Sequence, residues 1–138
     1  MKPVKPVEGT ISSGYGVKRT LFGQTSVHRG IDIVSKEAKP VVKLAYDGTV
    51  VMSGFQKDFG NRVWIRRNNS VLHDVYAHLA SINANATIGR AMKAGDEVGI
   101  MGTTGRSTGR HLHFETRKGG ASPANESVEP TEIIKLYQ

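Results

Sequence analysis

The sequence predicts a single, mainly β domain built on an antiparallel sheet or a sandwich of such sheets. Short runs of apolar and β-branched residues alternate with polar ones, and turn signals separate these runs at intervals of about 8–12 residues, as in antiparallel folds. Glycine contributes 16 of the 138 residues and proline 5, a composition that favours many turns over a helical bundle. The chain is long enough to bury one hydrophobic core.

The first nine residues are expected to form an extended lead-in. Pro3 and Pro6 oppose a helix there, because proline lacks the amide proton and restricts the residue before it. No repeat, low-complexity tract or domain boundary follows. The predicted division is therefore a lead-in at residues 1–9 and one domain at residues 10–138.

The period of apolar residues predicts the strands. They are expected from Thr10 up to a glycine turn, and over residues 28–34, 62–67, 71–78, 98–101 and 111–115. Asp47-Gly48 is predicted to be a hairpin turn between two apolar runs, and Asn68-Asn69 is predicted to be another turn.

The remaining segments lack a strand period. Residues 18–27 and 119–128 are interpreted as loops, and residues 80–94 as one irregular helical turn at most. Residues 130–136 follow a proline with a short apolar pattern, which predicts one C-terminal helix.

The charge balance favours anionic partners. Nineteen Lys and Arg against 12 Asp and Glu give a net charge of +7, which suits a bacterial wall, a membrane surface or nucleic acid. The basic residues are dispersed and have no aromatic residues between them, so we expect no nucleic-acid partner. No apolar run reaches the roughly 18 residues of a transmembrane helix. The N-terminus lacks the apolar core of a signal peptide, which favours a phage-encoded protein or a trimmed form.

Two pairs of residues suggest a metal site. His111 and His113 stand two apart in a predicted strand, so both imidazoles lie on one face, which Glu115 shares. His28 and Asp32 stand four apart and share a face if their strand is unbroken. In the strand over residues 71–78, His73 and His78 are five apart, so they should point in opposite directions and at most one of them should join the site.

The available donor atoms favour zinc. The chain has no cysteine, so a metal must be held by imidazole and carboxylate groups. A His, Asp, His set is typical of catalytic zinc sites, which have three protein ligands and an open position, whereas calcium and magnesium prefer oxygen ligands. The helical H-E-x-x-H pattern is absent, so a histidine outside the ligand set would have to move the proton.

Three motifs, in order, resemble the lysostaphin/LytM-type zinc metalloendopeptidases, which cut the peptide part of peptidoglycan. They are His-Arg-Gly-Ile-Asp at residues 28–32, Tyr-Ala-His-Leu at residues 76–79, and Gly-Arg-Ser-Thr-Gly-Arg-His-Leu-His-Phe-Glu at residues 105–115. Tyr15-Gly16, residues 47–50 and Gly60-Asn61 support the match, which covers roughly residues 10–134.

The resemblance implies an antiparallel sheet with a groove formed by loops, and it assigns roles to five residues. His28, Asp32 and His113 would be the Zn²⁺ ligands, and His78 and His111 the catalytic pair that does not bind the metal. One of the pair would carry the proton from water to the leaving amine, and the other would stabilise the negative charge on the carbonyl oxygen. The expected protein is a monomer that acts on wall peptides outside the cytoplasm.

Several features leave alternatives open. Arg110 stands where the family usually has proline, and it either loosens the loop, reaches an anionic substrate or is solvated. Glu115 either orients a ligand or forms an ion pair at the strand end. Tyr76 is expected in the core or at an edge rather than in the groove, Asn61 in a turn, and His73-Asp74 on a solvated hairpin arm. Residues 80–95 are longer and more polar than usual in the family.

Two other functions compete with the peptidase. One is a catalytically silent wall-binding domain on the same fold, and the other is a basic nucleic-acid-binding module supported by net charge alone. Within the peptidase hypothesis, the family cuts both glycyl-glycine bridges and D-alanyl-diaminopimelate cross-links, and the sequence leaves that choice open.

Overall fold

The computed structural model describes residues 2–119 and 126–138. Their strands are β1 (Thr10–Ser13), β2 (Lys18–Leu21), β3 (Gln24–Val27), β4 (Ile31–Val34), β5 (Val41–Lys43), β6 (Gly48–Gln56), β7 (Gly60–Arg67), β8 (Leu72–Ile82), β9 (Ala91–Met92), β10 (Glu97–Met101), β11 (Leu112–Lys118) and β12 (Glu126–Val128). One helix, α1 (Thr131–Lys135), follows them.

Ten of these strands form one antiparallel sheet. Its main order is β1-β4-β11-β8-β7-β6-β9, with β10 pairing β5 and β8, and β12 pairing β11. Strands β2 and β3 form a separate hairpin. The mainly β, antiparallel prediction is confirmed, and so is the short C-terminal helix. None of the described helical residues forms a helix long and apolar enough to cross a membrane.

Strands β8 and β11 have two faces. One face packs on the hydrophobic core and is called the core face, and the opposite one, which carries His113, is called the site face. On the core face Phe114 pairs with Tyr76, and their rings meet edge to face at 5.2 Å with no exposed surface. The Tyr76 hydroxyl accepts a hydrogen bond from the backbone of Ala45, which confirms its expected core position. On the site face His113 pairs with Ala77 and Glu115 with Val75. Cross-strand partners share a face, so β11 directs both polar side chains away from the core.

The N-terminal segment packs onto the sheet. Val7 is 2% exposed and belongs to the main hydrophobic core. Its carbonyl accepts a hydrogen bond of 2.6 Å from the Tyr137 hydroxyl, and the Pro6 carbonyl accepts one from the Lys43 amide. The segment is thus tied to β5 and to the C-terminal residues.

One predicted loop and one predicted hairpin turn were wrong. Residues 18–27 form the β2–β3 hairpin, whose β3 side chains are all exposed, so no apolar period marks it. Asp47-Gly48 is not a hairpin turn, because β5 pairs β10 while β6 pairs β7 and β9. The Asp47 carboxylate instead accepts a hydrogen bond of 2.7 Å from the Ala94 amide. This bond ties the segment between β5 and β6 to the segment between β9 and β10.

Other local predictions had mixed outcomes. The Asn68-Asn69 turn joins β7 to β8, with Asn69 at a φ of 52°, as predicted. Residues 80–94 contain no helix, but two tight turns closed by hydrogen bonds from Ala86 to Asn83 and from Arg90 to Thr87. The predicted loop at 119–128 includes β12, and its residues 120–125 lie outside the described part of the chain.

Candidate metal centre and active site

Two neighbouring strands bring the first three candidate residues together. Asp32 on β4 is the register partner of His113 on β11, and His28 lies just before β4. The strand expected over residues 28–34 begins only at Ile31, but His28 still reaches the same site. The three side chains are buried, with exposed fractions of 4% for His28, 5% for Asp32 and 7% for His113.

The donor atoms of these residues form a small triangle. His28 Nε2 lies 3.2 Å from Asp32 Oδ1 and 3.2 Å from His113 Nδ1, and the third side, from His113 Nδ1 to Asp32 Oδ1, is 2.9 Å. Tetrahedral zinc with bonds of about 2.0–2.1 Å holds its ligand atoms about 3.3 Å apart. The spacing of the triangle therefore matches three ligands of one zinc ion.

Outer hydrogen bonds fix which nitrogens face inward. His28 Nδ1 lies 2.9 Å from the Gly14 carbonyl and His113 Nε2 lies 2.7 Å from Glu115 Oε2. A carbonyl and a carboxylate can only accept, so these nitrogens donate, and the neutral rings turn lone pairs toward Asp32. Three converging lone-pair atoms repel one another unless a cation lies between them. The donor set therefore fits zinc.

Without a metal, a proton takes the place of the cation. Burial lowers the pKa of His113, but hydrogen bonds to Asp32 and Glu115 outweigh it and raise the pKa to about 9. Burial also raises the pKa of Asp32, yet hydrogen bonds from His113 and His28 hold it far below its ordinary range. The site thus stabilises positive charge at its centre.

A β-bulge turns His78 into this site. Ala77 and His78 on β8 face the single Arg62 on β7, because the register advances from Tyr76–Val63 to Leu79–Asn61. His78 has a φ of 61°, and its amide donates to the Phe59 carbonyl at 2.7 Å. An extra residue reverses the alternation of side chains along a strand. His78 consequently leaves the core face that Tyr76 occupies.

His78 and His111 form a second pair beside the triangle, with ring centroids 4.9 Å apart. His78 Nδ1 donates to the Thr104 carbonyl at 2.7 Å, and His111 Nδ1 donates to the Gly109 carbonyl at 2.8 Å. Each ring therefore has Nε2 left for a ligand. His111 Nε2 is buried, has no hydrogen bond within the described residues and lies 3.5 Å from Asp32 Oδ1. Burial lowers the pKa of His78 to about 4 despite the Thr104 carbonyl.

A family model described as Peptidase family M23 matches residues 26–128, most of the chain. The chain belongs to peptidase family M23. The resemblance to lysostaphin-type peptidases is thereby confirmed.

Relatives in this family share most of the chain. The DD-carboxypeptidase/endopeptidase Mpg of Neisseria meningitidis is 36% identical over 129 residues, and the peptidoglycan DD-endopeptidase ShyC of Vibrio cholerae is 35% identical over 128. Each alignment covers 91% of this chain and 29% of the relative, so the chain spans under a third of either protein. The solved catalytic domain of lysostaphin from Staphylococcus simulans matches with a TM-score of 0.78 and 29% identity, over 92% of both chains.

The structure brings all five predicted site residues of this M23 chain together. It places His73 outside this site. The expectation that His73 and His78 point in opposite directions was wrong, since the bulge places both side chains on the site face. His73 nevertheless lies away from the triangle, where its Nδ1 accepts a hydrogen bond of 3.0 Å from Trp64. Asp74 is bound by Arg67 through both carboxylate oxygens. His73 and Asp74 are each 1% exposed, so a solvated arm was also wrong, because β8 has neighbours on both sides.

The structure decides the alternatives for Glu115 and, for Arg110, those that concern the loop and solvent. Glu115 does both things considered, since Oε2 accepts from His113 and Oε1 accepts from Arg117 at 2.8 Å. The Arg110 guanidinium does not loosen the loop, and it is bound to protein as well as exposed to solvent. It donates to the carbonyls of residues 35, 37 and 38 over 2.7–3.1 Å and holds that loop against the entrance to β11. The expectation that Asn61 lies in a turn was wrong, because Asn61 belongs to β7 and its Nδ2 donates to the Leu79 carbonyl at 3.0 Å.

Arg19 is a site residue that the sequence did not reveal. Its Nη1 lies 2.8 Å from Asp32 Oδ2, the oxygen outside the donor triangle, and 3.5 Å from the Ser13 hydroxyl. The hydroxyl in turn contacts His28 Nδ1 at 3.3 Å. No signal in the sequence identified Arg19, because the hairpin that carries it is polar on both faces.

Proposed function

We propose that this chain is a zinc-dependent endopeptidase that hydrolyses peptide bonds in the stem or cross-bridge of bacterial peptidoglycan. Its zinc ligands would be His28, Asp32 and His113, and its catalytic pair His78 and His111. The observation that carries the proposal is the buried triangle of three lone-pair atoms, 2.9–3.2 Å apart, beside two imidazoles whose Nδ1 atoms are already engaged.

The donor set defines what a bound metal would contribute. Zinc held by two imidazoles and one carboxylate supplies a Lewis acid that polarises a carbonyl and lowers the pKa of water. Asp32 would offer Oδ1 to that ion, because Arg19 already binds Oδ2 at 2.8 Å. Glu115 and the Gly14 carbonyl orient the two imidazoles in the same way.

The two remaining histidines account for the proton transfers. Peptide hydrolysis joins the oxygen of water to the carbonyl carbon, breaks the C–N bond and moves a proton to the leaving nitrogen. With Nδ1 donating to a backbone carbonyl, the Nε2 atoms of His78 and His111 accept a proton when neutral and donate one when charged. One ring would transfer the proton, and the other would donate to the negatively charged carbonyl oxygen.

Charge and family relations suggest where the enzyme acts. The net charge of +7 favours adsorption to an anionic wall, and the relatives include a peptidoglycan DD-endopeptidase. We propose that the chain works on wall peptides outside the cytoplasmic membrane, as a monomer without a nucleic-acid partner. Residues 10–138 would be the peptidase domain.

Digestion of purified peptidoglycan tests the proposal. The zinc-loaded protein is incubated with walls that contain either glycyl-glycine bridges or D-alanyl-diaminopimelate cross-links, and released fragments are identified by mass spectrometry. The proposal expects new amino and carboxyl termini within the peptide, and their loss in Asp32→Ala. Absence of fragments from both walls, together with retained wall binding after chelation, would instead support a catalytically silent domain on this fold.

A further inference from the structure

Two further cavities lie beside the cavity of the candidate active site. The central cavity, of about 270 Å³, is lined by His78 and His111. A second, of about 500 Å³, shares Arg106 and Ser107 with it, and a third, of about 530 Å³, shares Arg110. Each shared residue places a neighbouring cavity beside the central one, and the three cavities together are called the groove. A peptide bound along this groove would pass an arginine on each side of the two histidines.

The central cavity has an excess of positive charge. Arg19, Arg106 and Arg110 line it, and Asp32 is the one carboxylate among its lining residues. Arg19 is already paired with Asp32, while Arg110 is bound to backbone carbonyls that leave its charge uncompensated. Within the described part of the chain, Arg106 forms no ion pair. Its guanidinium is therefore the one best able to receive a carboxylate.

The position of Arg106 is fixed by its surroundings. The guanidinium lies over the Phe22 ring at 4.5 Å from the centroid, and the Arg106 amide donates to the Asp58 carbonyl at 2.9 Å. Gly105 and Gly60 pack backbone against backbone, since a Cβ on either would overlap the other loop. Phe22 and Phe55 are 58% and 67% exposed in the adjoining cavity. The Arg106 cation thus lines both the cavity with the two phenylalanine rings and the cavity with the two histidines. The opposite charges of Lys57 and Asp58, which also line the first of these cavities, cancel.

We propose that Arg106 selects wall peptides that carry a free carboxylate next to the scissile bond, so that the substrate is an anionic cross-linked stem peptide rather than an uncharged glycine bridge. This inference rests on the proposed endopeptidase function. A guanidinium binds carboxylate through two parallel hydrogen bonds, a geometry that an amide cannot reproduce.

A pair of matched peptides tests the inference. The two are identical around the scissile bond except that one carries a carboxylate and the other a carboxamide at the adjacent residue. With the zinc-loaded wild type we expect kcat/KM to be about tenfold higher for the carboxylate peptide, as for one charge-assisted hydrogen bond. Arg106→Gln should remove this preference by slowing cleavage of the carboxylate peptide alone.

Arg90→Gln is the matched control, because it removes the same charge from an exposed arginine whose cavity shares no lining residue with the groove. The control should keep the preference. Binding of both peptides to the zinc-loaded His111→Ala variant, followed by fluorescence anisotropy, should show the same preference and its decline with added salt.

The outcomes separate the two proposals. Equal cleavage of both peptides by the wild type, or an unchanged preference in Arg106→Gln, overturns the role of Arg106 and leaves the endopeptidase intact. Cleavage of neither peptide, nor of purified walls, overturns the endopeptidase and this inference with it.

Discussion

Glu115 accepts a hydrogen bond of 2.7 Å from Nε2 of His113, the nitrogen on the far side of the ring from the donor triangle. Replacing this carboxylate with an amide keeps the shape and weakens the bond. Partners of this kind typically contribute 10–100-fold to metal affinity. We therefore expect Glu115→Gln to weaken zinc binding by about 10–100-fold, as measured by competition with a chromophoric chelator.

The control for Glu115→Gln is Glu126→Gln, which makes the same change at an exposed position on β12. Its zinc affinity should equal that of the wild type. An unaltered zinc affinity in Glu115→Gln would show that His113 is held without Glu115.

His78 and His111 are expected to act in turnover but not in zinc retention. Their Nδ1 atoms are engaged by backbone carbonyls, and neither residue supplies an atom to the triangle. We expect His78→Ala and His111→Ala to keep about one zinc per chain by elemental analysis, while kcat falls by about 10²–10⁴-fold, the usual size of a general acid–base contribution. A variant of either residue that lost its zinc would reassign that residue to the metal.

Arg110 is expected to hold the loop formed by residues 35–38. Arg110→Ala removes three hydrogen bonds to backbone carbonyls at the protein surface. We predict a decrease of about 1 kcal/mol in the free energy of unfolding and faster amide hydrogen exchange confined to this loop and its neighbours. Lysine lacks the planar fork, so Arg110→Lys should restore little of the protection. Unchanged exchange in Arg110→Ala would contradict the assignment.

His73 should make the fold sensitive to mild acid. Burial lowers the pKa of His73 below the ordinary imidazole value of 6.5, so the unfolded chain takes up a proton at a higher pH than the folded chain. Stability from this group is therefore present above pH 6.5 and is lost as pH falls through that value.

The measurement for His73 is urea unfolding followed by circular dichroism at pH 7.5 and 5.5, for wild type and His73→Asn. The asparagine oxygen can still accept the Trp64 hydrogen bond but does not titrate. The free-energy advantage of the wild type over the variant should shrink at the lower pH. An advantage that is constant or larger at pH 5.5 would mean that His73 titrates normally in the folded protein.

The motifs predicted which five residues come together. The alternation of side chains along the strands predicted the orientation of some of them. Asp32 and His113 lie on neighbouring strands, where a two-residue period is obeyed, and their convergence followed from it. His78 breaks that period, because a bulge with a positive φ depends on pairing with β7 and has no marker in the residue types. The roles assigned to the five residues stay predictions until a metal and a substrate are bound.

Other features depended on partners far away in sequence. Arg19 reaches Asp32 from a hairpin without apolar alternation, so neither the hairpin nor the contact could be predicted. Arg110 binds carbonyls more than 70 residues earlier in the chain. Asp47-Gly48 has the residue types of a hairpin turn, yet its neighbours pair with strands further along. Each of these results from long-range packing, which local patterns do not encode.

Anomalous diffraction at the zinc absorption edge, from crystals of the zinc-loaded protein, tests the central claim most directly. We predict one zinc ion within bonding distance of His28 Nε2, Asp32 Oδ1 and His113 Nδ1, with no fourth protein ligand and with His78 and His111 outside the bonding shell. Zinc bound elsewhere, or a shell closed by His78 or His111, would contradict it.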